Sequence, residues 1–355
     1  MTLTVKLAQR LRLMECVMKR LAFVWGFLLT FLVFSFCLYY GSVDLSLNDV
    51  WHGLQAVWHQ APITSTPAQI IYHIRLPRVL AASQVGISLA LAGATMQALL
   101  RNPLADGSTL GISSAASLGA VLTIIIGFQS KNLPWRGTVI GAILFALLGF
   151  ILIFTLAYRR DRRINNLTVI LLGLILSMLT SSIMSLLMAF SQEKLERIVF
   201  WTMGSLSGSS YHDVALLCLA NLVFGGIAMS KRRELDAFAL GEEQAYHLGI
   251  DTERTRWLLF FSASGLIGCA VAVSGNIAFV GLIVPHACRI IIGPRNQRLL
   301  PVVIFAGANF LMLVDLLART LISPRELPIG VITSIIGALL LGYLFLQRGA
   351  SHAKS

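Results

Sequence analysis

Apolar runs of roughly bilayer-crossing length alternate along this chain with short polar gaps, and the gaps hold most of the arginines and lysines. A helical crossing needs about 20 predominantly apolar residues. On that measure the pattern predicts ten helices, over about 21–40, 75–100, 108–128, 137–158, 167–190, 212–230, 257–274, 277–292, 301–319 and 329–346. The eighth is short for a full crossing, which leaves a tilted or partly re-entrant helix open. Nine crossings instead of ten would move the C-terminus to the other side. The expected fold class is all-α: a polytopic membrane protein of about ten transmembrane helices.

The first run follows Lys6, Arg10, Arg12, Lys19 and Arg20. It is too long for the core of a signal peptide, and no A-x-A cleavage pattern follows it. It therefore reads as a retained first helix. The chain divides into an N-terminal segment, 1–20, a transmembrane domain, 21–347, and a C-terminal tail, 348–355.

Composition agrees with the pattern. The hydrophobic fraction is 56% and the charged fraction 12%, against roughly 25% charged residues in ordinary globular domains. Mean hydropathy is +0.78. The net charge of +12 is too dispersed for a nucleic-acid surface. With the N-terminus inside, twenty Lys/Arg fall on the cytoplasmic side and eight outside, which sets the orientation by the positive-inside rule and places both termini in the cytoplasm. The outer eight form the pairs Arg75 and Arg78, Lys131 and Arg136, Lys194 and Arg197, Arg319 and Arg325. The strongest inner anchor is Arg159, Arg160, Arg162 and Arg163 in one short loop.

Two outer segments exceed simple turns. Ser46 and Asp49 predict a capped short helix, with Val50, Leu54, Val57 and the headgroup-level aromatics Trp51 and Trp58 following. Residues 192–210 hold an amphipathic piece around Trp201 and then a cluster of Gly204, Ser205, Ser207, Gly208, Ser209 and Ser210, either a flexible turn or something more. An ungapped offset of 182 aligns Gly86, Gly93, Pro103 and Gly111 with Gly268, Gly275, Pro285 and Gly293. On the ten-helix topology, the second and seventh helices run in opposite directions, so this is an inverted repeat.

Chemistry is sparse. The five cysteines show no CxxC spacing, and four lie inside apolar runs as packing residues. Asp315 is the main acid within a span, with Arg319 four residues on. No chain of buried acids or histidines marks a proton relay, and no Walker A sequence marks an ATPase. The small residues of the second span, from Ala81 to Ala94, permit close helix contact, and some are candidates to line a wide path. The polar segment KRRELDAFALGEEQAYHLGIDTERTR, 231–256, is the most informative. Gly241, Glu242 and Glu243 open a short helix with acids at its positive end, and Gly249 after Leu248 ends it. It reads as a surface amphipathic helix or as a docking helix for a cytoplasmic partner.

That segment resembles the coupling region of the iron-siderophore and cobalamin ABC-importer permeases. So do RLPRVLA (75–81), GATMQALLRNPLADGSTLGIS (93–113), GNIAFVGLIVPHACR (275–289) and DLLARTLISPRELPIGVITSIIGA (315–338). The resemblance runs from about residue 21 to near the C-terminus. It implies ten helices, an inner-membrane location, a second permease subunit, two cytoplasmic ATPase subunits and an extracytoplasmic substrate-binding protein. The chain itself would be no enzyme and bind no cofactor or metal, with ATP and Mg used by the ATPase. The resemblance assigns Arg75, Arg78 and Arg319 to docking of the binding protein. It assigns Asn102 and Leu104 to an inner gate, with Asn166 and Leu167 a poorer match there. Coupling falls to Leu240, Gly241, Glu242, Glu243, Ala245, Leu248 and Gly249. A ferric siderophore is the first choice of cargo, then ferric citrate, haem or cobalamin. A secondary transporter or intramembrane enzyme would need buried ionisable groups, and a non-transporting receptor would not need the coupling segment.

Overall fold

The computed structural model describes residues 23–43, 45–58, 65–107, 110–129, 135–160 and 166–352. The expected N-terminal segment 1–20, Lys131, Arg162, Arg163 and the last three residues of the expected tail lie outside them, as do the side chains of Leu54, Val57 and Trp58.

The described residues are helical, with no strand among them. The apolar helices are α1 (Phe23–Tyr39), α3 (Thr66–Leu99), α4 (Ile112–Ile126), α5 (Gly137–Arg160), α6 (Asn166–Phe190), α8 (Tyr211–Ser230), α11 (Thr252–Ser274), α12 (Val280–Ile292), α13 (Asn296–Thr320) and α14 (Ile329–His352). Six of them, α3, α5, α6, α8, α11 and α13, are long and apolar enough to cross a membrane; the described apolar stretches of the other four are shorter. Short polar or amphipathic helices sit between them: α2 (Leu47–Trp58), α7 (Leu195–Thr202), α9 (Arg232–Leu240) and α10 (Glu242–His247).

Local signals explain several boundaries. Asp49 accepts from the Ser46 N–H (3.0 Å) and hydroxyl (2.7 Å), while its own N–H donates to the Ser46 hydroxyl (3.1 Å), the capping box expected there. Ser210 and Asp213 make the same box at the start of α8, so the glycine–serine cluster ends in a helix cap. Asp251 caps α11 by accepting from the Arg254 N–H at 3.0 Å. Helix α3 begins nine residues before the expected start, because Pro67 sits in a first turn, where its missing N–H costs nothing. A π-helical stretch, Ile70–Arg75, joins that turn to the rest of α3.

Helix α3 is the centre of the bundle and packs against α8, α11, α12 and α13. Lipid tails are as apolar as leucine, so packing and hydrogen bonding, not hydrophobicity, join helices there. On α3 the join is backbone to backbone. A methyl built on Gly86 would overlap the Gly307 carbonyl of α13, and one on Gly93 would overlap Gly281 of α12. Polar side chains complete the contact with α8. Asn221 donates to the backbone carbonyl and the side-chain carbonyl of Gln84 (both 3.0 Å) and accepts from the Ser88 hydroxyl (2.9 Å). Asn221 opens a π turn, Asn221–Gly225, within which the Phe224 carbonyl accepts from the Ser262 hydroxyl at 2.6 Å.

The internal repeat is visible in the packing. Helix α3 contacts α11, α12 and α13; helix α11 contacts α3, α4 and α5. Contacts at the helix ends show that α3 and α11 run in opposite directions. Tyr211 donates to the Tyr72 carbonyl near the start of α3, while the Ser205 N–H, a few residues before Tyr211, reaches the Ser274 carbonyl at the end of α11. The ungapped register does not survive. Gly93 lies inside α3 but Gly275 terminates α11, and Pro103 is in a loop whereas Pro285 is inside α12. Helix pairing, not residue-by-residue spacing, carries the symmetry.

Replacing Gly93 by Val should separate α3 from α12 and destabilise the protein by about 3 kcal/mol, read as a lower melting temperature in detergent. Gly226→Ala, where nothing lies within 4 Å of the added methyl, should leave it unchanged. Equal melting of the two variants would refute backbone contact as the join.

Candidate functional site: the two ends of the bundle

One end of the bundle is organised by Arg75, Arg78 and Arg319. All three are buried, at 3%, 4% and 3% exposure. An α-helix ends with carbonyls that lack intrahelical partners. Those of α1 are met by guanidinium donors. Arg75 donates to the carbonyls of Leu38 (3.0 Å), Tyr39 (2.5 Å) and Val43, and Arg319 to that of Cys37. Gly41 lets the chain turn against the Arg75 guanidinium, where a side chain would collide. Arg78 pairs with Asp315 at 2.9 Å and with Glu326 at 2.7 Å, while Arg319 lies 3.7 Å from the other Asp315 oxygen. The bracket thus ties α1, α3, α13 and the loop after α13 together.

The three arginines lie at one end of the bundle, as expected, with their guanidiniums turned inward onto carbonyls and carboxylates. Asp315 also pairs more closely with Arg78, 237 residues away, than with Arg319 on its own helix.

The opposite end holds the other candidates. The Asn102 side chain accepts from the Leu104 N–H at 2.9 Å, shaping the turn after α3. Asn166 donates to the Leu99 carbonyl at 3.3 Å, which brings the start of α6 to the same place. Leu104 and Leu167 are both exposed. Two residues missed from the sequence hold this corner. Gln97 donates to the Gly281 carbonyl at 3.1 Å and accepts from Arg289 of α12 at 2.8 Å, and its own carbonyl accepts from the Asn102 N–H at 3.2 Å.

The polar segment 231–256 holds a pair of helices, where a single isolated one was expected. Gly241 breaks α9 from α10 with φ +131°, a conformation that favours glycine. Gly249, at φ +80°, ends the pair: its N–H donates to the Tyr246 carbonyl (2.9 Å) and the Ile250 N–H to the Ala245 carbonyl (3.2 Å). Leu240, Glu243, Tyr246 and Leu248 are exposed. Ala245 is fully buried. Glu242 pairs with the buried Arg256 of α11 at 2.5 Å. The link missed from the sequence is Asp236 of α9. Its carboxylate accepts from the Asn296 N–H at 2.5 Å and the Gln297 N–H at 3.4 Å, and so caps α13 from outside that helix.

Removing one partner of a buried ion pair costs about 3–5 kcal/mol, whereas replacing both by apolar groups is often neutral. Arg78→Leu or Asp315→Leu alone should therefore lower the melting temperature strongly, and the double variant should recover most of the loss. Single variants that melt with the unaltered protein would show that the bracket is not structural.

The sequence profile of the FecCD transport family matches residues 28–347. The chain is 37% identical over 316 residues to the molybdate import permease MolB of Haemophilus influenzae, covering 88% of this chain and 92% of that one. It is 38% identical over 295 residues to the vitamin B12 import permease BtuC of Vibrio vulnificus, covering 82% and 86%. The hemin transport permease HmuU of Yersinia pestis is 36% identical over 312 residues, with 87% and 90% covered. Among solved structures, an inward-facing metal-chelate type ABC transporter superimposes with a TM-score of 0.80 at 34% identity, over 92% of this chain and 98% of that one. The apolar helix bundle, the helix pair at one end and these similarities place the chain among multi-pass membrane permeases of ABC importers: it belongs to the FecCD transport family.

Proposed function

We propose that residues 21–347 form one half of the membrane pathway of an ATP-driven, binding-protein-dependent importer for a metal chelate. A ferric siderophore is the first choice of cargo; haem, ferric citrate or cobalamin are the alternatives. The relatives named for vitamin B12 and hemin, and the metal-chelate transporter of like fold, support that class. The relative named for molybdate keeps the substrate broader than iron.

The observation that carries the ATP-driven reading is the α9–α10 pair. It stands at one end of the bundle with Leu240, Tyr246 and Leu248 exposed, beside Glu243. Exposed apolar side chains on a charged segment suit a protein partner, here the cytoplasmic ATPase, which would bind ATP and Mg. Movement of the pair reaches α11 through Glu242–Arg256 and α13 through Asp236, so docking is tied to the bundle.

Helix α6 supports a second permease subunit. It exposes Leu171, Leu174, Met178 and Ile183 together with Ser181, Ser182 and Ser185. The last two serines satisfy their hydroxyls on carbonyls one turn back, at 2.9 and 3.0 Å. A face that mixes serines with leucines fits a partner helix and a solute path better than lipid alone. The loop charges support a ten-span reading in an inner membrane with both termini cytoplasmic. The end with the arginine bracket then faces outward to the binding protein.

Leu248→Asp, at an exposed position, should abolish co-purification of the ATPase and ATP-driven uptake while leaving melting unchanged. Gly241→Pro should do the same, because proline cannot adopt φ +131°. Uptake that persists in both variants would place the ATPase elsewhere. For orientation, a cysteine at Lys131 or Lys194 should react with an impermeant thiol reagent in intact cells, and one at Arg162 or Lys354 should not. Labelling of the last two would overturn the topology.

A further inference from the structure

At the bracket end of the bundle, an open cavity of about 420 Å³ lies among the start of α5, helix α7, the serine-rich turn after it, the last turn of α11 and residues 326–328. We propose that it binds an oxyanion, a carboxylate or phosphate group carried on a small organic molecule. The proposal goes beyond the transport reading and does not depend on it.

The argument is an inventory of what the walls leave unused. Arg136 and Arg197 both line the cavity and both are exposed. Arg136 donates to the Gly208 carbonyl, and most of its N–H groups remain. Arg197 makes no hydrogen bond or ion pair with any described residue. The Ser209 hydroxyl, on the same wall, is buried and lacks a partner among the described residues. The Ser205 hydroxyl is spent on Ser207, donating to its hydroxyl at 3.0 Å, which leaves the Ser207 proton free to turn to a ligand.

The two carboxylates of the lining are already engaged. Asp213 accepts from the Ser210 N–H at 2.9 Å and hydroxyl at 2.8 Å, and Glu326 from Arg78 at 2.7 Å. What remains on offer is two guanidiniums and hydroxyl donors. Such a set suits charge-assisted, often bidentate bonds to carboxylate or phosphate oxygens. Phe200, Trp201 and Val139 supply an apolar wall. The volume is within the range of small-molecule sites, roughly 300–1,000 Å³. The occupant is therefore an anion with some organic body, arriving either as a free solute or as the headgroup of an anionic phospholipid.

The test uses the full-length protein in phosphatidylcholine nanodiscs, titrated with citrate and with inorganic phosphate while tryptophan fluorescence is followed. Saturable quenching or enhancement that is lost in Trp201→Phe is expected. Binding should be about tenfold weaker, or more, in Arg197→Gln and in the Arg136→Gln/Arg197→Gln variant, and unchanged in Arg325→Gln, which lies outside the cavity. Mass spectrometry of co-purified lipid separates the sources. If the natural occupant is a headgroup, the unaltered protein retains anionic phospholipid, the double variant does not, and citrate responds only after delipidation. Arg197→Gln removes an exposed side chain that is unpaired among the described residues, so it keeps the test open should the double variant fail to fold. The proposal is overturned if the unaltered protein takes up neither anion nor lipid, or if folded arginine variants bind both as it does.

Discussion

Helices in a bilayer gain nothing by hiding leucine from lipid, so this bundle depends on how closely backbones approach. Helix α3 carries that constraint. Gly86 faces the Gly307 carbonyl and Gly93 faces Gly281, so α13 and α12 both lie on α3 with no side chain between. Almost all of α3 from Pro77 to Leu99 is buried as a result. Helix α6, by contrast, exposes most of its length. The same chain thus has a rigid centre built from glycine and alanine and an apolar flank left for other molecules.

The rigid centre gains its value from what is fastened at either end. At one end, Arg75 and Arg319 fill the open carbonyls of α1, while Arg78 joins Asp315 and Glu326. At the other, Asp236 caps α13 and Gln97 joins α12 to the turn at Asn102. Helix α13 belongs to both ends: its first N–H groups meet the α9 carboxylate and its Asp315 meets the bracket. A displacement of the α9–α10 pair therefore bears on a helix that reaches across the bundle. Rocking of packed helices about such fixed points is a known mode of switching.

Much of this was legible in the sequence because the bilayer enforces it. Each expected apolar run overlaps an apolar helix among the described residues, six of which are long enough to cross a membrane, and the Ser46–Asp49 and Gly241–Gly249 signals held. What escaped has a common cause. The acceptors of Arg75 are backbone carbonyls, which leave no trace in residue type. The partner of Arg78 stands 237 residues away on another helix. From sequence, an arginine at the edge of an apolar run reads as an interfacial cation, and only tertiary structure shows it buried. Helix α9 was hidden because RRELDAFAL is short and begins with basic residues, so its polar start read as a loop; its buried face of Leu235, Ala237 and Phe238 packs on α3 and α13.

The central claim is that this bundle moves cargo at the expense of ATP hydrolysed by a partner docked on α9–α10, not at the expense of an ion gradient. The direct measurement is uptake of radiolabelled ferric siderophore, haem and cobalamin into proteoliposomes holding the chain with its co-expressed ATPase and binding protein. One cargo should accumulate only when ATP reaches the ATPase side, and collapse of the proton and sodium gradients should leave its rate unchanged. Accumulation driven by either gradient without ATP would contradict the account.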